Sequence, residues 1–160
     1  MPEKVKDIIY TSAILWAKMK WSITKPKTVV ARILLVTDHR ILLVQHRKSL
    51  TWNLPGGGKK KKENAEHCAI RELYEETHIH IHDSDFLLGT YESTRGGKQD
   101  TIFIYVKYIP YAIDPRSKHD LELTGAAWYS FDNLPPTTTP ATRARIEEYK
   151  TGEKYCTKPW

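Results

Sequence analysis

Arg71-Glu72-Leu73-Tyr74-Glu75-Glu76 is the densest group of chemistry-bearing side chains in this 160-residue sequence. On a helix, at about 100° per residue, Glu72, Glu75 and Glu76 fall within an arc of about 100°. Ala69, Ile70, Leu73 and Thr77 occupy the adjoining arc. One edge of the helix can therefore be buried while its neighbour presents three carboxylates. Like charges so close repel and raise each other's pKa unless a cation lies among them. Hard oxygen donors from one or two carboxylates, completed by water and phosphate, make a Mg2+ site. Acids at helical spacing are by themselves commonly a solvated face, so the surrounding sequence has to decide.

The segment that would carry these acids, Asn64 to Glu76, contains no Gly or Pro and reads as a helix. Before it, Leu54-Pro55-Gly56-Gly57-Gly58 should end regular structure. Its glycines let the backbone turn sharply and approach a metal or phosphate. Thr28–Val36 and Ile41–Val44 are aliphatic or β-branched runs around a turn at Thr37-Asp38-His39-Arg40, and they read as a hairpin. Further strands are expected at Phe86–Tyr91, Thr101–Tyr108 and Ala126–Phe131. A last helix should start at Pro140, after Thr139, and run to about Lys150. Strands, helix, strands, helix is the order of a mixed α+β sheet with helices against it. Residues 4–21 have helical apolar spacing with lysines near both ends. They are expected to pack on the domain or on a second subunit rather than lie on a membrane.

Gly57, Glu63 and Arg71-Glu72-Leu73-x-Glu75-Glu76-x-x-Ile79 sit at the spacing of a 23-residue pattern, and this stretch closely resembles the box of the Nudix hydrolases. Trp52-Asn53-Leu54-Pro55-Gly56-Gly57 upstream, and Trp128 followed by Leu134-Pro135 downstream, also resemble Nudix sequence. The resemblance covers residues 28–150 as the Nudix domain. It leaves 1–27 as an N-terminal helix and linker, and 151–160 as a C-terminal tail.

The resemblance implies an α/β/α sandwich with a mixed β-sheet between helices. It implies Mg2+-dependent hydrolysis of the pyrophosphate bond in a nucleoside diphosphate linked to another moiety, with Mn2+ as a substitute. By position in the motif, Glu75 and Glu76 would be the main metal ligands, with the carbonyl of Gly57 contributing. Glu72 would orient or deprotonate a metal-bound water, and Arg71 would hold the carboxylates in place. Glu63 would brace the loop and helix, pairing with Arg71. Glu122, six residues before Trp128, is expected as a further ligand or general base. Arg47, Gly56, Lys59, Lys60 and Asp100 are candidate substrate-binding residues. The alternative is a weakly catalytic Nudix-like module that binds nucleotides or RNA, but such a module should have lost acids of the box, and all four are present.

Two glycines of the usual pattern are replaced. His78 stands where a Gly closes the helix, and a left-handed residue there costs roughly 1 kcal/mol, although His tolerates that region better than most. Lys62 stands before the first Glu of the box. Neither change removes a metal ligand. His78, His80 and His82 alternate and would share one face of an extended segment. They are expected as a solvent-facing strand end rather than a zinc site. Cys68 is expected to pack on the helix, since no motif activates it. Tyr149, Lys150, Lys154, Tyr155, Lys158 and Trp160 form a basic aromatic tail, read as a frayed or docking terminus.

Composition excludes several other classes. Two cysteines cannot form a disulfide framework, no apolar run approaches the length of a membrane span, and a cytoplasmic enzyme is expected. The net charge of +6, from 25 Lys+Arg against 19 Asp+Glu, is concentrated in part at Lys59–Lys62, inside the box loop. There it would attract highly charged phosphates. A homodimer through the N-terminal helix fits the expectation, and RNA enters only as a capped or 5'-phosphorylated substrate.

Overall fold

The computed structural model describes residues 27–95, 98–116 and 123–160. The expected helix over 4–21, together with Gly96, Gly97 and Glu122, lies outside the described residues.

Strand β1 (Lys27–Val36) is central. Ala31, Ile33 and Leu35 project to one side and Leu34 and Val36 to the other, and all five are fully buried. A strand with both faces covered reads as a near-continuous aliphatic run, which is what this segment shows. β1 turns back through Thr37–Arg40 into β2 (Arg40–His46), with the Thr37 N–H donating to the Arg40 carbonyl at 2.9 Å. Short strands β3 (Trp52–Asn53) and β4 (Gly56–Gly58) follow, then helix α1 (Ala65–Thr77), β5 (Phe86–Arg95), β6 (Lys98–Tyr108), β7 (Leu123–Ser130), α2 (Pro140–Lys150) and β8 (Cys156–Pro159).

The eight strands form one mixed sheet with the main order β3-β2-β1-β6-β5-β8, while β4 pairs with β1 and β7 with β2. β1 and β6 run parallel from Lys27↔Gln99 to Val36↔Tyr108, and β5 pairs antiparallel with β6. On one face, Cys68, Ala69 and Leu73 of α1 pack with Ile79 and Ile81 against Ala31, Ile33, Leu35 and Leu42. On the other, Ile146 of α2 packs against Leu34, Val36, Leu43, Leu88, Tyr91 and Ile104. This is the expected sandwich.

Helix α1 starts at Asn64, whose Oδ1 accepts the His67 N–H at 2.7 Å. It ends on His78 in the left-handed region (φ 57°), where the His78 N–H donates to the Tyr74 carbonyl at 2.8 Å. The His78 Nδ1 also lies 2.7 Å from the Arg116 carbonyl, a contact glycine could not make.

One expectation needs correction. Gly56–Gly58 does not end regular structure: it pairs antiparallel with β1, Arg32↔Gly56 to Val30↔Gly58, because backbone pairing needs no side chains. The terminal ten residues, expected as a frayed or docking terminus, dock on the sheet. β8 runs parallel to β5 from Gly89↔Cys156 to Glu92↔Pro159, and the Trp160 N–H donates to the Glu92 carbonyl at 2.8 Å. Gly89 makes room for it, since a Cβ there would lie 2.6 Å from the Tyr91 hydroxyl and 2.7 Å from the Cys156 carbonyl oxygen.

Candidate functional site

Because α1 packs against β1 through Cys68, Ala69 and Leu73, its acidic edge is held beside β4. Arg71 ties the two elements together. Its Nε and Nη2 donate to the two oxygens of Glu63 at 3.0 and 2.8 Å. Its Nη1 reaches Glu72 Oε1 at 2.7 Å and Glu75 Oε2 at 3.0 Å, and Nη2 also donates to the Gly58 carbonyl at 3.2 Å. The fork grips Glu63 with two parallel bonds, a charge-assisted geometry that lysine cannot reproduce. Hydrogen bonds from Arg71 hold the Glu63 carboxyl down at about 2. The same bonds raise the guanidinium above its ordinary value.

The remaining acid, Glu76, accepts the Gly56 N–H at 2.9 Å through Oε2. Gly56 holds φ +145°, and a Cβ there would strike the Ala31 carbonyl at 2.3 Å, so this register requires glycine. At Gly57 a Cβ would lie 2.7 Å from the Glu72 carboxyl carbon. The glycine backbone is therefore in direct apposition to Glu72 and Glu76 of α1.

This donor set fits Mg2+. Glu72, Glu75, Glu76 and the Gly57 carbonyl are hard oxygens, and a single guanidinium nitrogen already lies within 3.0 Å of both Glu72 and Glu75. Among the described residues no three His, Cys, Asp or Glu side chains stand close enough together to hold a metal ion. A Mg2+ here would therefore rest on one or two of these carboxylates, completed by water and substrate phosphate.

The other sequence candidates divide. Lys60 reaches Glu75 at 3.6 Å with both side chains exposed, and its N–H donates to Glu63 at 2.7 Å. Lys59 turns onto its own loop, donating to the carbonyls of Lys60 (3.1 Å) and Glu63 (3.0 Å). Arg47 is exposed in the turn after β2 and donates to the Leu123 carbonyl at 3.4 Å. Asp100, at the start of β6, accepts a hydrogen bond from the Thr28 hydroxyl and lines a cavity of about 460 Å³.

That cavity lies on the α2 face of the sheet. Val30 and Ile102, neighbours across β1 and β6, form its apolar floor. Arg32, Asn53, Asp100, Thr139 and Trp160 also line it. Asn53 is fixed by the Thr139 hydroxyl, which donates to its Oδ1 at 3.0 Å, and by its own bond to the Thr51 carbonyl at 3.3 Å. Arg32 donates through Nη1 to the Leu54 carbonyl at 2.7 Å, while its Nε is buried without a hydrogen-bond partner. Burial lowers the Arg32 pKa, and the charges of Glu76 and Glu72 act against that shift.

Arg32 and Trp160 were not among the expected site residues, Trp160 being named only within the basic aromatic tail. Arg32 carries a signal of its own, a lone charge inside the aliphatic run of β1. Trp160 carries none, since its position depends on a strand pairing between distant segments. Cys68 is buried on α1 as expected, and burial pushes its thiol up to about 11. His78, His80 and His82 are exposed as expected, but they lie in the connection after α1 rather than at a strand end, and the His80 and His82 rings meet edge to face at 4.8 Å.

The NUDIX domain family model matches residues 25–149. A MutT-like protein of Streptomyces ambofaciens is 35% identical over 74 residues, 46% of this chain, and the match spans about half of that relative (47%). A Bacillus subtilis (strain 168) protein assigned as an 8-oxo-dGTP diphosphatase is 28% identical over 120 residues, covering 75% of this chain and 77% of that one. Among solved structures, a NUDIX hydrolase from Nitrosomonas europaea superposes with a TM-score of 0.70 at 27% identity, over 82% of this chain and 93% of that one. No helix among the described residues is long and apolar enough to cross a membrane.

Proposed function

Because the chain belongs to the Nudix family, we propose that it is a Mg2+-dependent hydrolase of the pyrophosphate bond in nucleoside diphosphates linked to another moiety, with Mn2+ as a substitute. The observation that carries this reading is the apposition of Glu72 and Glu76 on α1 to the glycine backbone of β4, with Arg71 bonded to Glu63, Glu72 and Glu75.

Glu75, Glu76 and the Gly57 carbonyl would hold the cation, and Glu122 would be a further ligand or general base. When bound, the cation supplies Lewis-acid charge that offsets the phosphate oxygens and favours attack at phosphorus. Glu72, beside Gly57 and only 18% exposed, orients the attacking water or takes its proton. Arg71 keeps the mutually repelling carboxylates in one register, and Glu63 fixes Arg71. Lys60, exposed beside Glu75, attracts the phosphate chain. The cavity beyond Arg32 receives the nucleoside, with Asn53 and Asp100 available to its polar edges.

The test is a screen with Mg2+ and Mn2+ against nucleoside di- and triphosphates, nucleotide sugars, dinucleoside polyphosphates and 5'-capped or 5'-phosphorylated RNA. Turnover of at least one class, abolished by a chelator, is expected. Binding without turnover of any class would favour the non-catalytic module instead.

A further inference from the structure

The terminal strand does more than close the sheet edge. Trp160 lines the 460 Å³ cavity together with Val30, Ile102 and Pro140, and several independent contacts fix it there. Lys158, two residues earlier, lies 3.3 Å from the buried Glu148 carboxylate and also pairs with Glu153. Glu148 in turn accepts the Tyr91 hydroxyl at 2.7 Å and Arg145 Nη2 at 2.9 Å. The Arg145 guanidinium lies over the Tyr91 ring at 3.9 Å and 5.5 Å from the centre of the Trp160 ring, and Arg32 approaches the same indole at 6.0 Å. Gly89 admits the strand where any side chain would block it.

An indole held this firmly beside an apolar floor is a surface for a flat ring. Tryptophan stacks on every base because each has a π face, and a ring fixed in advance loses little entropy on binding. We propose that Trp160 is a substrate-binding residue, the wall against which the base of the nucleoside substrate stacks. This rests on the nucleotide reading of the site given above. The phosphate chain then runs past Arg32 toward the carboxylates of α1. The recognised chemistry is a planar purine or pyrimidine on a ribose phosphate.

The test uses the full-length chain as wild type, Trp160→Phe and Trp160→Ala. Binding of AMP, GMP, CMP, UMP and ribose 5-phosphate is followed by calorimetry without metal, and the best nucleotide substrate is followed kinetically with Mg2+. Trp160→Ala should weaken the tightest-binding monophosphate by about ten- to a hundredfold, the range of a lost base–aromatic stack. KM should rise by a similar factor while kcat stays within about twofold of wild type, the pattern of a binding contact that does not change in the transition state. Trp160→Phe should retain most of the affinity, and ribose 5-phosphate should bind all three alike. Unchanged monophosphate binding in Trp160→Ala would overturn the proposal. So would an equal loss for ribose 5-phosphate, which marks a structural role, or wild-type protein that binds no monophosphate. If the wild type binds monophosphates through Trp160 but hydrolyses nothing, the hydrolase reading fails and the stacking assignment stands.

Discussion

Gly57→Ala separates stability from chemistry. Its φ lies outside the left-handed region, so alanine fits the backbone. The added Cβ would meet the Glu72 carboxyl carbon at 2.7 Å and both oxygens at 2.8 Å, where ordinary contact begins near 3.4 Å, so the carboxylate must retreat by about 0.7 Å. Its obstacle is the far end of a flexible side chain, and turning that aside costs about 0.5–1.5 kcal/mol. Removing glycine from the unfolded chain returns about 0.4–1 kcal/mol. Net stability should therefore stay within about 1 kcal/mol of wild type in urea denaturation. The displaced Glu72 is another matter, because a misplacement approaching 1 Å at a reacting group costs about a hundredfold. Turnover of the best substrate with Mg2+ should fall by that order. Gly56→Ala is the contrast. It combines φ +145° with a Cβ 2.3 Å from a backbone oxygen of β1, and it should lose about 2–3 kcal/mol of stability. Gly57→Ala protein as unstable as Gly56→Ala, or as active as wild type, would refute the reasoning.

Two further outcomes follow from the geometry. Gly89→Ala forces a Cβ to 2.7 Å from the Cys156 carbonyl oxygen and should cost about 1–3 kcal/mol in urea denaturation; wild-type stability would mean that β8 is not seated at Gly89. The metal-free protein should lose stability in acid. Glu63 is held at about 2 by Arg71, and Glu66 is held below the ordinary range by the Ser84 hydroxyl and N–H, so both carry depressed folded-state values. Such groups stabilise the fold at pH above their unfolded values, and that contribution is lost as pH falls through the ordinary carboxylate range toward about 2. Denaturation midpoints across that window should show a smaller acid loss in Glu63→Gln than in wild type, and equal slopes would contradict the pairing.

What could be read from the residues follows the range of the interactions. The carboxylates of α1 and the left-handed His78 are set within one helix and its end, so spacing and residue type suffice. The Arg71–Glu63 pair spans only eight residues and belongs to the same loop and helix. The cavity is assembled by register instead. Val30 meets Ile102 through parallel pairing of β1 and β6, Asn53 is oriented by Thr139, and Trp160 arrives by pairing of β8 with β5. No local pattern encodes those neighbours, which is why a terminal stretch of lysines and aromatics reads as a tail. Gly89 is the trace left in the sequence, an unexplained glycine inside a strand until β8 is seen beside it.

The central claim is that Glu76, Glu75 and the glycine strand form a divalent-cation site that hydrolyses a pyrophosphate bond. The direct measurement is single-turnover hydrolysis of the best nucleotide substrate with Mg2+, comparing wild type with Glu76→Gln, a change that keeps shape and an acceptor for the Gly56 N–H but removes the charge. Wild type should turn over and lose all activity with a chelator, and Glu76→Gln should be slower by about a hundredfold or more, beyond the cost of losing an outer partner of a metal ligand. A Glu76→Gln protein as fast as wild type would contradict the account.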